Sequence, residues 1–157
     1  MATGIEAAVR IAVLNGPNLN LLGVREPDLY GHTTLSQVEN GLAAVARDLG
    51  VSVECSQLNG EGALIDIIHG FRGRIDGAVV NFGAYSHTSL ALRDALVGVG
   101  VPYVEVHVTN VYAREPARHH STLASAAVGV VVGLGTLGYE LALRGLVANL
   151  RSRGAST

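Results

Sequence analysis

Lysine is absent from this chain; all 11 basic residues are arginine. That excludes any mechanism built on a lysine imine, and any phosphate loop that relies on a Walker lysine. Cys55 is the only cysteine, so no intramolecular disulfide forms, and its place inside a predicted strand suits a small core residue. There is no HExxH, no paired CxxC and no zinc-type ligand spacing. His119 and His120 are adjacent, a poor geometry for two rings on one metal, so metal catalysis is disfavoured. The formal net charge is -2 and no basic stripe interleaved with aromatics occurs, so nucleic acid is not an expected partner. No apolar run reaches the roughly 18 residues of a membrane span. A cytoplasmic protein with no membrane partner is the expectation.

Present instead are 48% apolar residues, only 15% charged ones and 20 glycines in 157 residues. This suits one compact, heavily buried α/β domain. Residues 1–8 are expected to form a flexible N-terminal arm, 9–150 the domain and 151–157 a C-terminal tail. The first strand is Val9 to Leu14. Residues 19–32, with Gly23, Pro27 and Gly31 among polar side chains, are too punctuated for a helix and read as a long functional loop. Thr33 or Thr34 caps a helix ending at Gly50, with Leu35, Val38, Leu42, Val45, Ala46 and Leu49 on its apolar face. A strand from Val51 to Gln57 follows, then a helix from Ala63 to Arg72 and a strand from Gly77 to Asn81. Ser86 is expected to cap the next helix, which runs to about Val97. The remaining elements are strands at 102–110 and 127–132 and a last helix over about 136–150. Five short apolar strands alternating with helices predict a doubly wound parallel sheet, and five strands suit a flavodoxin-like order.

The most informative stretch is Pro102-Tyr-Val-Glu-Val-His-Val-Thr-Asn110. Alternate side chains of a strand share a face, so Glu105, His107 and Thr109 are neighbours, opposite Val104, Val106 and Val108. A carboxylate beside an imidazole accepts its ring N–H and raises its basicity. The strand is expected to hand these three residues to solvent or ligand. In a parallel sheet the loops after strands one, three and four open on one edge. They gather Asn18, Arg25 and Tyr30, then Asn81 and His87, then His107, Thr109, Arg114 and Arg118. Such a pocket suits a small polyhydroxylated carboxylate. Tyr30 is either a base with Arg25 as its cation or a packing anchor. His87 is either a ligand contact at a helix start or merely exposed there. Arg114 and Arg118 are either solvated or a carboxylate clamp. His69 is read as structural, and His32, His119 and His120 as surface or loop residues.

Leu14-Asn-Gly-Pro-Asn-Leu-Asn-Leu-Leu-Gly23, Arg25-Glu-Pro27, Tyr30-Gly31, Gly83-Ala-Tyr-Ser-His-Thr-Ser89 and Glu105-Val-His-Val-Thr-Asn110 resemble the type II 3-dehydroquinate dehydratases. Arg114-Glu115, Arg118-His-His-Ser121 and Gly133-Leu-Gly-Thr-Leu-Gly-Tyr139 extend the likeness over roughly residues 9 to 150. The resemblance implies a flavodoxin-like subunit, a dodecamer of four trimers, and cofactor-free dehydration of 3-dehydroquinate in the shikimate or quinate pathway. It implies Tyr30 as the base, held as phenolate by Arg25, and Asn18 as the residue positioning a water for the enolate oxygen. It makes His107 the acid, oriented by Glu105. Asn81, His87 and Arg118 would bind ring hydroxyls, the N–H groups of Val108 and Thr109 the carboxylate, and Arg114 would shape the loop there. Asp94 would reach a neighbouring subunit's site, and residues 19–32 would be a mobile lid.

Some positions depart from the family's pattern. Thr109 stands where serine is common, which keeps the hydroxyl. Phe82 replaces a small residue or proline and is expected to crowd the pocket or alter the turn. Leu58 and Gly60 replace more polar residues in a region associated with subunit contacts. A receiver domain would need an acidic cluster after the first strand and a lysine after the last, and the chain has neither. A flavin-phosphate loop is opposed by Pro17, which lacks an N–H.

Overall fold

The structure, a computed structural model, describes residues 7–155. Five strands, β1 (Arg10–Asn15), β2 (Ser52–Gln57), β3 (Gly77–Asn81), β4 (Tyr103–His107) and β5 (Gly129–Val132), form one sheet in the order β2-β1-β3-β4-β5. Every pairing is parallel. This is the flavodoxin-like order, with its topological switch between β1 and β3. There the chain leaves β1 toward one side of the sheet and returns on the other, so the loops splay apart and leave a crevice. The register sets Asn15 of β1 beside Asn81 of β3 at that point.

Alternation along the strands divides the core in two. Ile11, Val13, Val79, Val104, Val106 and Val108 face α2 (Leu35–Leu49) and α5 (Leu137–Ala155). Ala12, Leu14, Ala78, Val80 and Tyr103 face α3 (Glu61–His69) and α4 (Leu90–Val99). Both faces of the central strands are covered, which is why they read as continuous apolar runs. The start of α2 is fixed by a reciprocal capping box, with Gln37 N–H donating to the Thr34 side chain and the Gln37 side chain accepting from Thr34 N–H. Gly50, left-handed at φ 69°, ends it. Among the described residues no helix is long and apolar enough to cross a membrane.

Several boundaries differ from the sequence expectation, each for a physical reason. Ser89, not Ser86, caps α4, its hydroxyl accepting from Leu92 N–H at 3.0 Å. Residues 83–87 form a 3-10 turn instead, and Ser86 is fully buried. Within 19–32 the chain is not plain loop. Leu19–Leu21 makes a 3-10 turn, and Pro27–Tyr30 makes one short helix, α1. Helix α3 starts at Glu61, where an acidic residue meets the helix N-terminus, and stops at His69. Helix α5 continues to Ala155 through part of the expected tail, and Arg151 donates to the Leu49 carbonyl at the end of α2. Of the expected N-terminal arm, residues 1–6 lie outside the described residues. Ala7 and Ala8 are exposed and lack regular structure.

Phe82 does not crowd the cleft. It is fully buried with Leu14, Val80 and Leu92 on the α3 and α4 side, away from the cleft. Asn81 and Phe82 are consecutive, so only one of them turns toward α5. Gly16 packs directly on the backbone of Phe82, where a Cβ would lie 2.7 Å from Phe82 Cα and its carbonyl oxygen. Gly16→Ala should force these two loops apart and cost about 1–3 kcal/mol, read as a lowered urea midpoint. An unchanged midpoint would contradict the close approach.

Candidate active site

The cleft lies over the carboxyl ends of β1, β3 and β4 and encloses about 680 Å³ including its open mouth. It is lined by Asn18, Arg25 and Tyr30 from the first loop, Asn81 and His87 from the second, and His107, Val108, Thr109, Arg114 and Arg118 from the third. Sequence expectation and structure agree on these liners. Glu105 lies behind His107 and does not line the cleft.

The first loop is held in an unusual backbone shape. Asn18 is left-handed at φ 69°, a conformation asparagine tolerates better than most residues. Its N–H donates to Asn59 Oδ1 at 3.1 Å, and Gln57 Nε2 binds both Asn59 Oδ1 and the Gly16 carbonyl at 3.0 Å. Glu26 is also left-handed, at φ 43°, just before Pro27 at the first position of α1. That turn aims Tyr30 into the cleft. Its hydroxyl accepts a 2.7 Å hydrogen bond from Arg114 Nη1, which also reaches Thr109 Oγ1 at 3.4 Å. The Arg25 guanidinium carbon is 5.8 Å from the Tyr30 ring centroid, and its Nε pairs with Glu26 at 3.8 Å. The hydrogen-bonded cation on Tyr30 is therefore Arg114, where Arg25 was expected; both guanidinium groups lie over the ring, that of Arg114 at 5.5 Å from the centroid.

On the opposite wall, His107 Nε2 is 2.8 Å from Glu105 Oε1. Glu105 is completely buried, so of the three residues the alternation of β4 hands to solvent or ligand, His107 and Thr109 reach the cleft and Glu105 does not. What covers Glu105 is the connection after Arg118. Ser121 Oγ donates toward both Glu105 oxygens, at 2.7 and 2.9 Å, and accepts from Leu123 and Ala124 N–H at 3.1 Å each. This role of Ser121 was missed. Its sequence signal was its place at the end of the Arg118-His-His-Ser121 motif, which does not point to a partner sixteen positions upstream.

The His87 and His107 rings stack with centroids 5.6 Å apart and planes 19° off parallel. His87 Nδ1–H donates to the His120 carbonyl at 2.8 Å, leaving Nε2 with its lone pair. Burial is the main force holding His87 below its ordinary value of 6.5; the hydrogen bond to the His120 carbonyl opposes it, and the nearby Arg118 guanidinium adds to it. Arg118 is itself anchored by Glu115 at 2.6 Å. Asp94 is exposed on α4 and does not line this chain's own cleft. Cys55 is half-buried on β2, and burial pushes its thiol up to about 11, consistent with an unreactive packing residue.

A flavodoxin-like α/β domain with a phenol on one wall of its switch-point cleft and a carboxylate-backed imidazole on the other has the layout of an acid–base enzyme for a small molecule. Comparison with known proteins agrees. Residues 9–147 match the family described as Dehydroquinase class II. The chain is 58% identical over 147 residues to the 3-dehydroquinate dehydratase of Gemmatimonas aurantiaca, covering 94% of this chain and 97% of that one. It is 55% identical over 141 residues to catabolic 3-dehydroquinase 1 of Aspergillus terreus, covering 90% and 93%. The crystal structure of the type II dehydroquinase from Propionibacterium acnes superposes with a TM-score of 0.85 at 42% identity, covering 90% of this chain and 99% of that one. That from Butyrivibrio crossotus gives 0.87 at 41%, with the same coverage. The chain belongs to the class II dehydroquinase family.

The depressed basicity of His87 has a consequence for stability. The unfolded chain takes up this proton first, near pH 6.5, so nothing is lost above that value and stability falls as pH drops below it. His87→Gln should flatten part of the acid-side loss in urea melts run between about pH 7 and 5. An identical slope in both proteins would contradict a neutral His87.

Proposed function

We propose that this chain dehydrates 3-dehydroquinate to 3-dehydroshikimate through an enolate, without a cofactor or an imine. The observation that carries this reading is the pairing of Tyr30, hydrogen-bonded by Arg114, with the buried Glu105–His107 dyad across one cleft. Tyr30 removes the proton beside the ketone. Arg114, with Arg25 over the ring, supplies the positive charge that a phenolate base requires. Asn18 positions the water that stabilises the enolate oxygen. His107 gives a proton to the departing hydroxyl, so the elimination releases water and leaves a conjugated enone. Glu105 keeps the ring of His107 oriented for that step. Asn81, His87 and Arg118 hold ring hydroxyls, and the N–H groups of Val108 and Thr109 hold the carboxylate.

Residues 19–32 act as the lid. Closure excludes water and brings Arg25 fully onto Tyr30, which accounts for its present place over the ring. The working enzyme is a cytoplasmic homo-oligomer, a dodecamer of four trimers. Asp94 supports this reading, because it is exposed on α4 beside Leu90 and Val97, which are 65% and 55% exposed. From there it would serve a neighbour's cleft. Relatives named for the dehydratase and for the catabolic enzyme are similarly close, so the same chemistry fits the shikimate and the quinate pathway.

Turnover of 3-dehydroquinate, followed as rising enone absorbance, tests the proposal. Wild-type activity should survive borohydride, because no imine forms, and each of Tyr30→Phe, His107→Ala and Arg114→Ala should lose at least about 100-fold in kcat. An inactive, folded wild-type chain would overturn the assignment. Full activity in Tyr30→Phe would overturn the role of the phenol alone.

A further inference from the structure

Asn81 lines the cleft but is almost fully buried, and its carboxamide has no freedom to turn over. One end accepts from Gly83 N–H at 3.2 Å. A main-chain N–H only donates, so that end is the oxygen Oδ1. The other end is therefore Nδ2, and it donates to Tyr139 Oη at 2.8 Å. Tyr139 carries one hydroxyl proton, which goes to Asn15 Oδ1 at 2.6 Å. Both Tyr139 and Asn15 are buried, and burial drives the phenol far above its ordinary value, so the hydroxyl keeps that proton. One main-chain amide thus fixes the Asn81 end of this chain, while at the far end Asn15 accepts through Oδ1 and its Nδ2 is buried without a partner.

A second main-chain group fixes the other polarity. The His120 carbonyl can only accept, so His87 donates from Nδ1 and offers Nε2 as an acceptor. The cleft thus has an N–H donor from Asn81 and a ring acceptor from His87, and backbone groups set both.

We propose that Tyr139 is a positioning residue for ligand recognition: anchored on Asn15, it holds Asn81 with its free N–H toward the cleft. The site then selects ligands that present an acceptor oxygen to Asn81 and a hydroxyl hydrogen to His87. This rests on the dehydration reading and names what sets the polarity of its hydroxyl contacts. Nothing near Tyr139 in the chain signals the role, because Asn81 is 58 residues away and Asn15 is 124.

The test is steady-state turnover of 3-dehydroquinate by wild type, Tyr139→Phe, Asn81→Ala and the double variant. Tyr139→Phe should raise KM about tenfold with kcat within about threefold, the signature of lost binding that is uniform between ground and transition states. In the Asn81→Ala background the same change should add nothing further to KM, because the two residues act as one unit. Should Tyr139→Phe not fold, Asn15→Ala removes the anchor and leaves the phenol, and KM should rise in the same direction. A Tyr139→Phe enzyme that melts earlier but keeps the wild-type KM would overturn the proposal, as would full additivity in the cycle, or an unchanged KM in Asn15→Ala. An inactive wild type would instead remove the dehydration reading, and this proposal with it.

Discussion

The site depends on a buried negative charge. Glu105 is completely enclosed between the sheet and the chain that crosses it, where an uncompensated carboxylate would cost several kcal/mol. His107 and Ser121 are the groups that compensate it. Ser121 reaches Glu105 only if the connection from β4 folds back over the strand. That same connection carries Arg114 to Tyr30, Arg118 to the rim and the His120 carbonyl to His87. One burial constraint thus places His107, the cation on the Tyr30 phenol and the tautomer of His87. Tyr103, two residues before Glu105, secures the return through a 2.5 Å hydrogen bond to the Leu123 carbonyl.

The parallel sheet supplies the rest of the geometry. With β1 and β3 adjacent and their connections leaving in opposite directions, Asn15 and Asn81 meet at the crevice, bridged by Tyr139 from α5. Gly16 lets the two following loops touch backbone to backbone, and its N–H donates to the Asn81 carbonyl at 2.8 Å. Much of the polar order in the cleft is therefore imposed by main-chain groups that no side-chain substitution removes. The side chains that line the cleft are mounted on those fixed points.

How much of this is visible in the sequence follows from which interactions are local. The five strands, their helices and the parallel order are legible because apolar runs and turn residues act over a few positions. The alternation of β4 correctly pairs Glu105 with His107. It cannot show that Glu105 is covered, since the cover is a hydrogen bond from Ser121. Phe82 looks like an obstruction because its size is visible and its direction is not. Ser86 and Ser89 are equally good caps by residue type, and only the 3-10 turn at 83–87 decides for Ser89. Arg25, five positions away, is the partner the sequence offers Tyr30, yet it is Arg114, 84 residues away, that donates to its oxygen here. Long-range polar contacts, not the fold, are what the sequence hides.

In the proposed reaction, proton removal by Tyr30 and hydroxyl departure assisted by His107 are separate steps, and their separation is what the site's layout stands on. That separation is tested most directly by incubating 3-dehydroquinate with His107→Ala in deuterium oxide and recovering the unreacted substrate. Deuterium entering the carbon beside the ketone faster than product forms, and none entering with Tyr30→Phe, is the result predicted. Recovered substrate with no deuterium from His107→Ala, or undiminished exchange with Tyr30→Phe, would contradict the assignment of base and acid.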